Sequence, residues 1–274
     1  MCLSKMKRSE RIACIVRSLL DQPSTLLSLS EFSHRYGAAK STISEDIALI
    51  REVFNREEGG HIETVTGAAG GVRYLPHWQR PAIRQLSERL CEIMQQQNRM
   101  LPGGFIYMND IMFSPHWAQH LGEVFATQFR CRQPHCVLTV ETKGIPLALM
   151  TARALSVPLV ISRRDHRVTE GSSVSINYIS GSSTRIQSMS LPRRALGSDW
   201  RVLIVDDFMR GGGSARGMGD LVSEFQAEVV GVAVLVETAE PAQKLVKDYV
   251  SLVVMEEASG GGIQVRSSDR MWAE

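Results

Sequence analysis

No apolar run in these 274 residues approaches the roughly 18 that a membrane-spanning helix needs, so no such helix is expected. Lys5, Lys7 and Arg8 are not followed by an apolar h-region, which argues against a signal peptide. The five cysteines (Cys2, Cys14, Cys91, Cys131 and Cys136) are scattered, odd in number and without a CxxC pair. They read as core or surface thiols of a cytoplasmic chain, not as a disulfide framework or a zinc site. His116 and His120 would share a helix face. The zincin pattern needs a glutamate directly after its first histidine, though, and Trp117 stands there, so no metal site is expected. The glycines at 211–213 are not followed by the Gly-Lys-Ser/Thr of a P-loop. Nor is there a dinucleotide fingerprint, whose acid follows its glycines by about 20 residues; here the acids come first. One-sided charge is also missing. The net charge is +2, and residues 1–76 hold ten Lys/Arg against nine Asp/Glu, so a nucleic-acid partner must be argued from pattern.

The stretch Arg201-Val-Leu-Ile-Val-Asp-Asp-Phe-Met-Arg-Gly-Gly-Gly-Ser-Ala215 is the most informative segment present. Val202 to Val205 fits a central strand of a parallel sheet, covered on both faces. Asp206 and Asp207 follow at its carboxyl end, where open α/β sheets bind ligands, and carboxylates there accept hydrogen bonds from vicinal ribose hydroxyls. Gly211, Gly212 and Gly213 let backbone N–H groups close around a phosphate. Ser214 adds a hydroxyl and reads as the cap of the next helix, whose positive end favours an anion. This order of parts resembles the phosphoribosyl pyrophosphate (PRPP) loop of type I phosphoribosyltransferases.

The first 76 residues read differently. Ile12, Ile15, Val16, Leu19 and Leu20 recur at a helical period from Ser9 to Leu20. A short helix follows over Leu29–Tyr36, with Ser30 as its cap and Gly37 as a turn. A longer helix over 39–54 places Ile43, Ile47, Ile50 and Phe54 inward. Two helices joined through a glycine turn match the helix-turn-helix plan. Lys40, Ser41, Thr42 and Ser44 would open the recognition helix, and Arg51 lies further along it. Residues 61–66 and 72–75 alternate as strands around Gly67-Ala-Ala-Gly-Gly71, giving a wing on which Arg73 would approach phosphate. A helical oligomerisation module with a glycine-rich hairpin is the alternative for this segment. Between Pro76 and Leu101 lies a linker helix, with Ile83, Leu86, Leu90, Ile93 and Met94 on one face.

From residue 102 to 274, apolar strands alternate with helices: Val137–Val140, Leu159–Ile161, Val202–Val205 and Val229–Val236. That order argues for a mostly parallel α/β sheet. After the first strand, the amides of Thr142, Lys143 and Gly144 and the lysine's charge suit a pyrophosphate. The charged loop 161–171 brings Arg163 and Arg164, which either meet phosphate from a third side or belong to a solvated loop. Residues 172–180 and 185–191 read as a hairpin.

Taken together, the chain resembles the bacterial purine operon repressors, in which a winged helix is fused to a phosphoribosyltransferase-type domain. The likeness runs from about Lys7 to about Met255. It is carried by Ala39-Lys-Ser-Thr-Ile-Ser-Glu-Asp46, Gly67-Ala-Ala-Gly-Gly-Val72, Thr142-Lys-Gly-Ile-Pro146, Val168-Thr-Glu-Gly-Ser172, Ser175-Ile-Asn-Tyr178, Ser180-Gly-Ser-Ser183 and Asp206-Asp-Phe-Met209. The resemblance implies a homodimer on paired control sequences of double-stranded DNA near purine biosynthesis genes. It implies PRPP as an effector that weakens operator binding, in a domain that no longer transfers a phosphoribosyl group. By motif position, Asp206 and Asp207 would hold the ribose hydroxyls, Arg210 through Ala215 would wrap the 5-phosphate, and Thr142, Lys143 and Gly144 would face the pyrophosphate. Mg²⁺ is expected at most as a companion of PRPP. Guanosine tetraphosphate is a candidate competitor, because backbone amides discriminate little between similar anions. The alternative is an active purine phosphoribosyltransferase with an appended regulatory domain.

Overall fold

The computed structural model describes residues 6–57, 59–67, 70–101, 105–164, 171–179, 186–257 and 262–271. Most of the charged loop, at 165–170, and the hairpin connection, at 180–185, lie outside the described residues, as do wing-tip residues 68–69. The chain divides into two compact units. One is the chain up to Gln79 together with Arg153–Ser156, and the other is the remainder from Arg80.

The first unit is three helices and a hairpin: α1 (Arg8–Asp21), α2 (Leu29–Tyr36), α3 (Lys40–Phe54), β1 (Gly59–Val65) and β2 (Gly71–His77). Ile15 and Leu19 of α1, Phe32 of α2 and Ile43, Ile47 and Ile50 of α3 form its core with Leu27, Ile62 and Val72. Leu20, assigned inward from periodicity, is 40% exposed. The cap of α2 is Ser28, whose hydroxyl accepts the Ser30 N–H at 3.1 Å; Ser30 itself lies within the helix. Gly37 closes α2 in the left-handed region at φ 59°, where a side chain is strained. The wing strands pair antiparallel with Glu63 opposite Arg73, and Leu27 bridges Val72 beside them.

Asp46 is the unexpected member of this core. It is fully buried on α3 and accepts from Arg8 Nε at 2.9 Å and Arg11 Nε at 2.6 Å, so it ties α1 to α3. Arg11 of the early basic cluster is thereby drawn into the core, while Arg8 stays largely exposed.

The second unit begins with α4 (Arg80–Met94), the helix read as a linker. It packs against the sheet of its own unit: Leu90 and Met94 are fully buried, and Ser87 Oγ donates to the Leu252 carbonyl at 2.9 Å. A short ladder of β3 (Met100–Leu101) and β4 (Phe105–Ile106) precedes α5 (Asn109–Met112) and α6 (Pro115–Phe129). Then follow β5 (Cys136–Val140), α7 (Ile145–Leu155), β6 (Leu159–Ser162), β7 (Ser173–Ile179), β8 (Ile186–Pro192), β9 (Arg201–Met209), α8 (Gly213–Glu224), β10 (Glu228–Thr238), β11 (Val250–Glu257) and β12 (Ile263–Ser267).

Six strands form one sheet in the order β12-β11-β10-β9-β5-β6, parallel except for the antiparallel β11–β12 pair. The mostly parallel α/β sheet expected from the sequence is therefore present. β7 and β8 form a separate antiparallel hairpin. The chain leaves β5 toward β6 and later resumes at β9 on the other side of β5, so strand order reverses between β5 and β9. Open α/β sheets bind ligands at such a reversal, beyond the carboxyl ends of the strands.

Candidate functional site: a cleft where strand order reverses

Two turns meet at that reversal. β5, buried throughout, ends at Val140 and leads through Glu141–Gly144 into α7; the Glu141–Thr142 peptide is cis. β9 extends beyond the expected Val205 to Met209, so both aspartates lie within the strand. Between them, the turns enclose a cleft of about 360 Å³ lined by Val140, Glu141, Thr142, Lys143, Arg164, Asp206, Asp207, Phe208 and Ser214. That volume is within the range of small-molecule sites.

Six of the sequence-assigned residues (Thr142, Lys143, Arg164, Asp206, Asp207 and Ser214) line this one cleft. Gly144, Gly211, Gly212, Gly213 and Ala215 are buried and Arg210 is exposed, and none of these six is among the residues lining the cleft. Ser214 is not the helix cap. Gly212 takes that position at φ 81°, which leaves Ser214 in the first turn of α8 with its side chain facing the cleft. The glycine loop is tied down from one side: the Leu245 N–H donates to the Gly211 carbonyl at 3.0 Å, and Thr238 Oγ1 donates to the Arg210 carbonyl at 3.3 Å.

Asp206 is 6% exposed and accepts the Asp207 N–H on Oδ1 at 2.9 Å. Burial, and then the neighbouring Asp207 charge, push its carboxyl well above the usual carboxylate range. Gly144 leaves it room: a Cβ there would stand 2.8 Å from Thr139 Oγ1 and 3.1 Å from Asp206 Oδ1. Gly144→Ala is therefore expected to displace the Asp206 carboxylate and weaken ligand binding by roughly tenfold, about one charged hydrogen bond. Calorimetric titration of the variant with PRPP, the ligand expected from the sequence, checks this, and unchanged affinity would show that the contact relaxes freely.

Sequence reasoning missed Val140, Glu141 and Phe208 as lining residues. Glu141 and Phe208 stand beside assigned residues, and that adjacency was the only signal. Arg163, considered with Arg164 as a phosphate contact, lies 3.6 Å from Glu141 Oε2 and is not among the lining residues.

The first unit presents a different surface. Lys40, Ser41, Ser44 and Arg51 are exposed on α3, and Thr42 is half-buried. Lys40, Ser44 and Arg51 fall along one flank at helical spacing. α3 has no side-chain cap at Ala39, so its first-turn amides point outward at the helix's positive end. Arg73, on the wing, donates its Nε–H to Glu63 Oε2 at 2.6 Å across the hairpin. The wing arginine is held by a carboxylate on its own hairpin.

A parallel sheet with an acidic pair and a glycine loop at its strand-order reversal defines a phosphoribosyltransferase-type domain, here preceded by a winged helix. Residues 114–269 match the phosphoribosyl transferase domain model, and residues 7–76 match the model described as bacterial purine repressor, N-terminal. The chain belongs to the bacterial purine repressor family. It is 45% identical over 251 residues to the purine biosynthesis transcriptional repressor PurR of Bacillus subtilis, covering 92% of this chain and 88% of that protein. It is 42% identical over 248 residues to the purine biosynthesis transcriptional activator PurR of Lactococcus lactis subsp. lactis, covering 90% and 92%. A shorter stretch of 126 residues is 40% identical to the xanthine phosphoribosyltransferase of Geobacillus thermodenitrificans, covering 46% of this chain and 65% of that enzyme. Among solved structures, adenine phosphoribosyltransferase from Saccharomyces cerevisiae superimposes with a TM-score of 0.53 at 20% identity, over 61% of this chain and 98% of that one; this likeness concerns the fold. Among the described residues, no helix is long and apolar enough to cross a membrane.

Proposed function

We propose that the chain is a cytoplasmic, homodimeric repressor of purine biosynthesis genes that binds operator DNA through α3, and that PRPP in the cleft lowers this affinity. The observation that carries the proposal is the pairing in one chain of an open recognition-helix start with a cleft that joins the Asp206–Asp207 pair to a lysine and an arginine. Asp206 and Asp207 suit ribose hydroxyls, the α8 start suits a 5-phosphate, and the Thr142–Gly144 turn with Arg164 suits a pyrophosphate. Mg²⁺ takes oxygen ligands, and the two carboxylates are oxygen donors suited to a magnesium-bound ligand. Repression follows the sign in the name of the Bacillus relative. The Lactococcus name carries the opposite sign, and both agree on regulation of purine biosynthesis.

PRPP can alter DNA affinity only through different affinities for the free and DNA-bound states, and the coupling is reciprocal. Operator DNA must therefore weaken PRPP binding by the same factor. Guanosine tetraphosphate is expected to displace PRPP at millimolar levels, since the cleft recognises phosphate largely through amides and point charges. Lys40→Ala is expected to weaken operator binding and lower the slope of log affinity against log salt by about one. An unaltered slope in fluorescence anisotropy would place Lys40 off the phosphate backbone.

The enzyme reading is favoured by the stretch shared with a xanthine phosphoribosyltransferase. Incubation with PRPP and each purine base decides between the two. A sensor is expected to release no pyrophosphate above the rate without protein, whereas release dependent on a base would establish a transferase.

A further inference from the structure

Glu141 is out of place in a cleft for a polyanion. It is a carboxylate among the lining residues, and its charge opposes any phosphate that enters. Its contacts account for it. Oε1 accepts the Arg164 backbone N–H at 3.0 Å, and Oε2 lies 3.6 Å from Arg163 Nη1. Its own backbone N–H donates to the Ser162 carbonyl at 3.1 Å, which fixes the end of β5 to the end of β6. From the opposite side, Ser188 Oγ donates to the Arg164 carbonyl at 3.1 Å. Arg164 is thus gripped at both ends of its backbone, by the β5 turn and by the β7–β8 hairpin.

We infer that Glu141 is a positioning residue, holding Arg164 over the pyrophosphate end of the cleft and keeping Arg163 turned aside. The inference rests on the effector reading above. An arginine at the mouth of a loop loses backbone as well as side-chain freedom when it grips a phosphate, and fixing its backbone beforehand removes the first of those costs. The hydrogen bond to Oε1 provides this fixing, and an amide oxygen at the same place would accept the same N–H. The negative charge is needed only for Arg163.

The test is equilibrium titration of the wild-type chain, Glu141→Ala and Glu141→Gln with PRPP, inorganic pyrophosphate and ribose 5-phosphate. Loss of one hydrogen bond that orders a charged group is worth about tenfold. Glu141→Ala is expected to weaken PRPP and pyrophosphate by that factor while leaving ribose 5-phosphate, which reaches only the α8 end, within about twofold. Glu141→Gln, which keeps the acceptor and drops the opposing charge, is expected to bind all three at least as tightly as wild type. Equal PRPP affinity in wild type and Glu141→Ala overturns the inference alone. So does a uniform loss across the three ligands, which would mean general loosening, or a glutamine variant as weak as the alanine one. A wild-type chain that binds no PRPP removes the effector reading, and this inference with it.

Discussion

Replacing Asp206 with asparagine is expected to raise the thermal stability of the chain while abolishing its response to PRPP. The carboxyl is buried, and burial together with the Asp207 charge raises its pKa well above the usual carboxylate range. The folded protein therefore holds this proton more tightly than the unfolded chain does. The resulting stabilisation is fully present below the unfolded pKa and is lost as pH rises through the folded value. Ionising this buried side chain as pH rises is a cost, and a neutral isostere removes it. Substitutions that relieve such strain at a functional site commonly stabilise by about 0.5–2 kcal/mol. Each kcal/mol corresponds to about 2–4 °C in a unit of this size.

The functional loss has the opposite sign. Asparagine keeps one acceptor and places a donor where a ribose hydroxyl would donate. Hydrogen bonds to charged groups are worth about 1.5–3 kcal/mol, so PRPP binding should fall by roughly 10- to 100-fold or more. Operator affinity, which belongs to the other unit, should change less than about twofold, giving permanent repression in cells. Calorimetric melting and PRPP titration of the same preparation check both halves. A destabilised variant would contradict the buried-charge account, and retained induction would contradict the site assignment.

Asp46→Ala is expected to destabilise the first unit strongly and so weaken DNA binding, with PRPP binding left intact. Asp46 is fully buried, and Arg11, whose side chain is 9% exposed, has no other ion-pair partner among the described residues. Removing one member of a buried pair costs about 3–5 kcal/mol, because the remaining charge stays out of water without compensation. At about 0.05–0.15 kcal/mol per residue, a unit of roughly 75 residues holds about 4–11 kcal/mol in total. The substitution therefore takes about a quarter or more of its stability. Circular dichroism should show an early transition absent from wild type, while Lys40→Ala, a surface change on the same helix, should melt normally. If Asp46→Ala melts normally, the ion pair contributes little and α1 is held to α3 by its apolar contacts alone.

Much of the architecture was legible because parallel strands buried on both faces leave continuous apolar runs. β5, β9 and most of β10 are such runs, and the alternation of strands with helices told their order. The edge of the sheet was harder to read. Ser251 of β11 is buried because its hydroxyl donates to Glu237 Oε1 at 2.5 Å, and β12 is a short edge strand under α4. The apolar face of α4 was evident, but periodicity cannot say what covers it. In the first unit, Asp46 lies on the same stripe as Ile43, Ile47 and Ile50, yet a carboxylate there reads as outward until its two arginines are known. The Glu63–Arg73 pair likewise depends on a hairpin register that the glycines at the wing tip leave open. At the cleft, spacing alone brought out the aspartates, the glycine loop and the Thr142–Gly144 turn. A run of three glycines hid which one caps α8, and so Ser214 received a role that Gly212 performs. Glu141 was silent because its partners, Arg163 and Arg164, come from another strand end.

Operator binding by the whole chain, measured at fixed moderate salt while PRPP is titrated, tests the coupling of the two units most directly. Allosteric coupling typically amounts to about 1–3 kcal/mol, or roughly 5- to 150-fold in affinity. The expected result is tight binding to purine-gene control DNA that PRPP weakens by a factor in that range, with no weakening in Asp206→Asn. Operator affinity that stays unchanged at saturating PRPP would contradict this reading.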